Sequence, residues 1–495
     1  MIRLTVQLAR LGFLSPASLW HLFRARKKHG DNIAWMLQWA AACYADKSAL
    51  SDGKEAYGFS RLWKEVQQLA AYLQQNQIVP KGNYAMLACY NNSPHTLWLY
   101  AMQTAGIPLI LIHPKTPAKD IRHIRSNYPG AVLFTDEPEQ LLLDNSHSLL
   151  LNRERAKETT GNPYISRKQA PLIFPSSGST GRPKLIPKKP GAFYWLSAFA
   201  DLVLYTGIHK SNAVFISTPL THGFGYTSLV FSLILGKKAV ITRDNNISAV
   251  ASLIVTEKTD LLTGVPSSLF QIAKELAGKD HPIRLLISGG APLNETILKE
   301  IAGSLSSNLF SFYGSTEVST SFIACYEELT KDLHSLGRPL KGIQYRLENL
   351  SGGATELWIK SPLSNISPGE WFATGDLVAQ EENGSLSWRG RKDNMIIKNG
   401  LNIYPVEIET EILHLPGISD VLVMGVKDSA KGEKLIAMVL MKAGFDFNED
   451  HIREQLKSRL AGIKLPDKII QVDGFRETNT GKKSGFLTIG GQEED

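Results

Sequence analysis

Residues 174–184 read FPSSGSTGRPK, and this short stretch crowds three serines, a threonine, two glycines and two cations after an apolar run. Gly178 and Gly181 permit backbone conformations and close approaches that a Cβ would obstruct. Free N–H groups, hydroxyls and a lysine suit a ligand rich in anionic oxygens, with phosphate the obvious candidate. The loop alone is equally consistent with a solvated Ser/Gly turn, and the GxxxxGK[ST] order of a Walker A motif is absent. Four further stretches hold the same kind of chemistry. They are SGGAP at 288–292, YGSTE at 313–317, TGD at 374–376 with GRKD at 390–393, and TNTGKK at 478–483.

The elements that must position these stretches are legible from pattern. From about residue 83, short β-branched apolar runs alternate with helical patterns. NYAMLACY, IPLILIH and AVLFTD read as strands, and SPHTLWLYAMQTAG reads as a helix stopped by Gly106. Further on, NAVFIST, AVITRD, DLLTGVP, IRLLISGG and NLFSFYG alternate with NISAVASLIVTEK, SSLFQIAKEL and NETILKEIAGSL. That alternation predicts α/β architecture with doubly wound parallel sheets covered on both faces. In such sheets ligands gather at the carboxyl ends of strands, where FPSSGSTG, SGGAP and FYGSTE fall. From about residue 335 to 390 turns and short alternating strands predict a β-rich unit. Beyond the polar break GRKDN a compact α+β set predicts a small separate domain at 394–495. The large domain is expected over 46–390, preceded by a helical extension over 1–45.

Length and composition bound the function class. The chain has 495 residues, 43% of them apolar and 20% charged, as in multidomain globular proteins with large cores. The three cysteines, Cys43, Cys89 and Cys325, form no CxxC pair, which argues against a disulfide framework or structural zinc and for a reducing compartment, taken as cytoplasmic. A net charge of +7 without a long basic run suits anionic small molecules and gives no nucleic-acid patch. The first thirty residues mix apolar and basic side chains and are too interrupted for a signal segment or a span. They predict one or two amphipathic helices packed on the main domain, with weak peripheral membrane contact as the other use of such a face.

Taken together and in order, the five stretches resemble the signature of the adenylate-forming superfamily: acyl-CoA synthetases, stand-alone adenylation domains of peptide synthetases, and firefly luciferase. The likeness runs over roughly residues 45–485 and is nearest to acyl-CoA synthetases. It implies an AMP-forming carboxylic acid–thiol ligase using ATP, Mg²⁺ and CoA. The same first step serves enzymes that load the phosphopantetheine of a separate carrier protein, and a non-catalytic adenylate-binding paralogue is the alternative of another class. Carried over motif by motif, the resemblance implies that Ser177, Ser179, Thr180 and Lys184 hold the β and γ phosphates. Gly289, Gly290, Ala291 and Pro292 lie along adenine and Tyr313 stacks on it. Thr316 meets the α-phosphate and Glu317 holds the metal. Asp376 and Arg391 grip the ribose, Asp393 is the hinge, and Gly400 in IIKNGLNIYP lines the thiol tunnel. Lys482 bridges the substrate carboxylate and the α-phosphate.

The sequence departs from the family pattern at several points. Leu185 stands where a glycine is usual, Arg476 where a proline is usual, and the arginine after GK is missing. Residues 353–371 lack the usual Gly-Tyr element, which reads as a trimmed β-unit. His222 resembles the gate of the acyl pocket, with a half-buried structural histidine as its plain alternative. The stretch PLTHGFGYTSLVFSLILG contains no acid, so a substrate ammonium there would lack a partner. Phe193, Tyr194, Trp195, Phe199, Gly223, Phe224 and Tyr226 make the surroundings apolar, which suits a fatty or aryl acid. The resemblance of the N-terminal extension to that of fatty-acyl ligases tilts the expectation toward fatty acid metabolism.

Overall fold

The computed structural model describes residues 2–176, 184–188, 195–350, 353–366, 368–398, 401–428, 432–477 and 483–487. The chain divides into two compact units. The first runs to Tyr326 and takes back Pro339–Ile343 and Lys360–Glu370. The second holds Glu327–Arg338, Gln344–Ile359 and the chain from Trp371 onward. The β-rich sheet is thus grouped mainly with the C-terminal part, whereas the sequence reading places it in the large domain.

The first unit carries two largely parallel sheets. In one, six strands lie in the order Ser146–Ser148, Val132–Thr135, Ala85–Ala88, Leu109–Ile112, Leu172–Ser176 and Lys184–Lys188. All neighbours are parallel except the last two, which form an antiparallel hairpin. In the other, Ser319–Cys325 is followed inward by Leu309–Ser315, Leu285–Gly289, Leu261–Gly264, Ala213–Ile216, Lys238–Val240, Ser48–Ser51 and Ala56–Gly58. Its interior pairs are parallel, and antiparallel hairpins close both ends of this run. The strands read as unbroken apolar runs because both faces are covered: Ala85–Ala88, Leu109–Ile112, Val132–Thr135 and Ala213–Ile216 are buried at every position.

Helix Ser93–Ala105 is buried from Ser93 to Thr104, with the polar Ser93, His95, Thr96, Gln103 and Thr104 enclosed among its apolar side chains. Asn92 caps it by accepting from the His95 N–H, and Gly106 ends it in the left-handed conformation. The N-terminal extension forms three helices, Ile2–Arg10, Pro16–His29 and Ala34–Cys43. The third was not anticipated as separate, and it is an apolar interior helix with Leu37, Trp39 and Ala40 buried. Phe13 anchors the extension, edge-on to Trp39 at 5.2 Å and stacked on Phe199 at 6.1 Å.

The second unit holds a four-stranded sheet of Gln344–Asn349, Thr355–Lys360, Trp371–Gln380 and Leu386–Arg391. Its C-terminal part pairs Ile418–Asp428 antiparallel with Gly432–Met441, which also takes Lys468–Gln471 in parallel. Helices Pro405–Leu413 and Glu449–Lys457 contribute Ile408, Ile412, Ile452 and Leu456 to a core with Val421, Leu435 and Val439. Among the described residues no helix is long and apolar enough to cross a membrane.

Candidate functional site

In the first unit SGGAP, YGSTE and the loop to His222 meet on one sheet edge, while the 176–184 stretch belongs to the other sheet. Strands ending at Ile216, Gly264, Gly289 and Ser315 lie side by side in that order. Their carboxyl ends present four segments: the loop to His222, Val265, Gly289–Pro292, and Tyr313–Glu317.

Residues 316–318 form the three-residue turn of an antiparallel hairpin in which Ser315 faces Ser319. Glu317 therefore sits on a β-turn and not at a helix N-terminus. The turn is held by its backbone. Asn365 donates its N–H to the Glu317 carbonyl at 2.7 Å and its side-chain amide to the Thr316 carbonyl at 2.6 Å. The Ser364 hydroxyl donates to the same Glu317 carbonyl at 3.2 Å, and the Ser315 Oγ accepts the Glu317 N–H at 3.3 Å. The backbone is thereby fixed without engaging the half-buried Thr316 and Glu317 side chains. Among the described residues no group of three or more His, Cys, Asp or Glu could hold a metal alone. A single carboxylate fits a hard cation that takes its remaining oxygens from phosphates and water. The half-buried Tyr313 meets Phe322 edge-on at 5.9 Å.

Gly289 faces Phe312 across the parallel register. A Cβ there would come within 3.4 Å of both the Phe224 ring and the Phe312 carbonyl oxygen. Gly290 has φ of +86°, and among the described residues a built Cβ would meet only the Val265 side chain at 3.5 Å, so the backbone here turns sharply and leaves an open face. That is the surface a planar ring can lie against. The Phe224 and Phe312 rings stand 6.4 Å apart beside it. Pro292 is exposed and Ala291 half-buried at the entry to helix Glu295–Ser304.

His222 is the N-cap residue of helix Gly223–Ile234, and its carbonyl accepts from Tyr226 at 2.9 Å. Burial, with a smaller contribution from the charge of His113, pulls its imidazole down to about 4, so the ring is neutral at ordinary pH. Its Nε2 is buried and has no hydrogen-bond partner among the described residues. The loop before it is pinned by Asn91, which lies just past strand Ala85–Ala88 of the other sheet. The Asn91 side chain donates to the Thr218 carbonyl at 2.8 Å and accepts the Leu220 N–H at 2.8 Å. Gly225 lets the first helical turn close on this loop, because a Cβ would stand 2.3 Å from the Pro219 oxygen. Asn91 is a residue the motif reading missed. Its only signal is the CYNNSP run after a strand, where Asn92 is already explained as a cap.

The phosphate-type loop sits on a hairpin: Ser176 pairs with Lys184, and Leu172 with Lys188. Ser177, Ser179 and Thr180 lie outside the described residues, as does the side chain of Lys184. A strand–loop–strand setting differs from the strand–loop–helix of a Walker A site. Leu185, in place of the usual glycine, packs against the core of Met86, Ile110, Ile121 and Leu133 and so anchors the outgoing limb. Lys188 is a further unpredicted cation, 4.9 Å from the Tyr226 ring and lowered to about 8 by burial.

In the second unit Asp376 and Arg391 are directly opposed on the hairpin Trp371–Gln380/Leu386–Arg391. Asp376 is 7% exposed, and its carboxylate accepts from the Trp388 indole at 3.1 Å and faces the Arg391 guanidinium at 3.6 Å. Arg391 also donates to the Thr374 carbonyl at 3.0 Å and meets Asp393 at 3.3 Å. Gly375 has φ of +72°, and a Cβ would press on that guanidinium at 3.1 Å. Asp393 lies in a short 3-10 turn, Lys392–Asn394, at the end of the sheet. Gly400 and Lys482 lie outside the described residues. Lys482 immediately precedes strand Lys483–Leu487, which pairs with Gly474–Glu477.

Comparison with known proteins gives the family and the fold. The family model described as AMP-binding enzyme matches residues 37–369, and that of the AMP-binding enzyme C-terminal domain matches 407–482. A 2-succinylbenzoate–CoA ligase of Bacillus velezensis is 24% identical over 90% of this chain and 96% of its own length. An uncharacterized acyl–CoA ligase of Bacillus subtilis, YhfT, is 27% identical over 62% of this chain and 65% of its own length. Among solved structures, the o-succinylbenzoate CoA synthetase of Bacillus subtilis with its acyl-adenylate intermediate superimposes with a TM-score of 0.78 at 24% identity, covering 90% of this chain and 96% of that one. ATP-bound MatB of Rhodopseudomonas palustris gives 0.79 at 20% identity, covering 92% and 97%. At these identities the structural likeness establishes the fold.

Proposed function

The chain belongs to the AMP-binding enzyme family, and from that premise we propose that it is an ATP-dependent carboxylic acid–thiol ligase acting on an apolar acid. In the first half-reaction an oxygen of the carboxylate attacks the α-phosphorus of ATP, the α–β bridge breaks, and pyrophosphate leaves. In the second a thiol attacks the carbonyl of the mixed anhydride, the C–O bond to AMP breaks, and the thiol proton passes to solvent. CoA is the acceptor in this reading, and a phosphopantetheine arm on a separate carrier protein is the same chemistry on a larger partner.

The observation that carries the proposal is the alignment of four strand ends on one sheet edge, with a glycine-lined face beside a rigid hairpin turn bearing Thr316 and Glu317. Gly290 keeps backbone open to adenine next to Gly289, with Tyr313 alongside. Glu317 would hold Mg²⁺, which neutralises phosphate charge, and Thr316 orients the α-phosphate. Ser177, Ser179, Thr180 and Lys184 take the β and γ phosphates. Asp376 accepts from both ribose hydroxyls, steadied by Trp388 and Arg391. Lys482 offsets charge on the reacting oxygens, Asp393 is the hinge between 46–390 and 394–495, and Gly400 borders the thiol path.

Neutral His222 and the rings of Phe224 and Phe312 would line an apolar acyl site, which disfavours a substrate ammonium. The 2-succinylbenzoate ligases among its relatives place aryl acids beside fatty acids as the first substrates to try. A soluble enzyme of the cytoplasm, with weak peripheral membrane contact through its N-terminal helices, fits the free cysteines and the basic extension.

The test is pyrophosphate release with Mg·ATP across aryl, short, medium and long fatty, and amino acids, with and without CoA, beside Glu317→Ala and Lys482→Ala. Acid-dependent release that turns over faster with CoA, and collapses in both variants, is expected. Release that stalls near one equivalent with CoA present points to a carrier-protein acceptor. Tight ATP binding with no release for any acid would overturn the ligase reading.

A further inference from the structure

The N-terminal helices are packed on one side and uncovered on the other. Ser18, Ala25 and His29 of helix Pro16–His29 are buried, and the Trp39 indole donates to the Ser18 carbonyl at 3.1 Å. The opposite face carries Leu19, Trp20 and Phe23, exposed at 43%, 58% and 60%. The Trp20 and Phe23 rings stack at 6.4 Å, and Val6 of the preceding helix is 47% exposed. Large apolar side chains rarely gather on a free surface without a use. Position in the helix sorts the rest: Arg24, Lys27 and Lys28 follow one to two turns after the aromatic pair and are themselves exposed.

Charge decides among occupants. Residues 1–30 contain Arg3, Arg10, Arg24, Arg26, Lys27 and Lys28 and no aspartate or glutamate. The first acid is Asp31, which pairs with Arg26 at 2.8 Å. A second copy of the same face would set like charges together, so self-association is disfavoured. A neutral apolar partner would use the aromatics and leave the cations idle. A surface that offers hydrocarbon at one depth and anionic oxygens just above it uses both.

We propose that helix Pro16–His29 is a docking face for an anionic lipid bilayer. Trp20 and Phe23 enter the headgroup boundary, and Arg24, Lys27 and Lys28 meet the phosphates. This specifies the membrane contact and rests on no step of the ligase chemistry. A chain that fails every acid in the panel above and still binds vesicles leaves it standing.

Co-sedimentation of the full chain with vesicles tests it, comparing neutral phosphatidylcholine with mixtures holding about a third phosphatidylglycerol. Binding to the anionic vesicles only is expected, weakening about fivefold per lysine in Lys27→Gln and Lys28→Gln and falling steeply as salt rises from about 0.05 M to 0.5 M. Trp20→Ser/Phe23→Ser removes exposed rings only, so its thermal transition stays in place while vesicle binding drops at least tenfold. Equal binding to neutral and anionic vesicles, no binding to either, or undiminished binding by the double variant overturns the proposal. A concentration-dependent dimer without lipid that the double variant abolishes also overturns it, in favour of a second copy.

Discussion

Replacing Asn91 by alanine separates a positioning role from a merely local one. Asn91 makes two hydrogen bonds of 2.8 Å to the loop that carries His222. Leu220 on that loop is fully buried and Thr218 is 5% exposed, so neither freed backbone group reaches bulk water without movement. Two lost bonds with a buried carbonyl and a buried N–H left unpaired cost about 2–4 kcal/mol together. The loop joins strand Ala213–Ile216 to helix Gly223–Ile234, so it is expected to open locally before the sheet does. Urea titration should show the full loss only if that opening is coupled to global unfolding. Hydrogen exchange at Leu220 should show it in either case. In the ligase assay the KM for the acid should rise several-fold while that for ATP stays, because among the described residues the Asn91 side chain bonds only to the His222 loop. Asn91→Asp keeps the acceptor for Leu220 but sets a carboxylate against the Thr218 carbonyl. Asn91→Asp should therefore restore the Leu220 protection only in part. Unchanged Leu220 exchange and unchanged acid KM in Asn91→Ala would refute the clamp.

Asp376→Ala removes the acceptor of the Trp388 indole and the charge opposite Arg391. The KM for ATP should rise about tenfold or more, the scale of one charge-assisted hydrogen bond, with little change for the acid; initial-rate kinetics decide it. The fully buried His95 donates from Nδ1 to the Cys89 carbonyl, and burial lowers it to about 4. A folded pKa below the unfolded value of about 6.5 means that stability is complete above 6.5 and is lost as pH falls toward 4, by of order 1–2 kcal/mol from this residue at pH 5. Denaturation midpoints across pH 5–8 test the sign, and His95→Gln should flatten the dependence.

What the sequence determined is what local chemistry determines. Apolar runs and their periodicity located the strands and helices, down to Gly106 as the stop of Ser93–Ala105. The ordered glycine, hydroxyl and acid motifs located the segments at the carboxyl ends of strands, because each needs only its own backbone to be recognisable. Tertiary structure decided the rest. That Glu317 rides on a three-residue hairpin turn, fixed by Asn365 from 48 positions away, depends on a contact with no local pattern. The same holds for Asn91, which reaches from one sheet to steady the His222 loop of the other. Leu185 departs from the family motif in the sequence and becomes an anchor only once the core of Met86 and Ile110 is beneath it. The N-terminal stretch shows the division most plainly. Its mixed composition is legible in the chain, but which side chains face outward is settled only when Ser18, Ala25 and His29 pack inward and leave Trp20 and Phe23 uncovered. Burial is a property of neighbours, and distant neighbours are chosen by the fold.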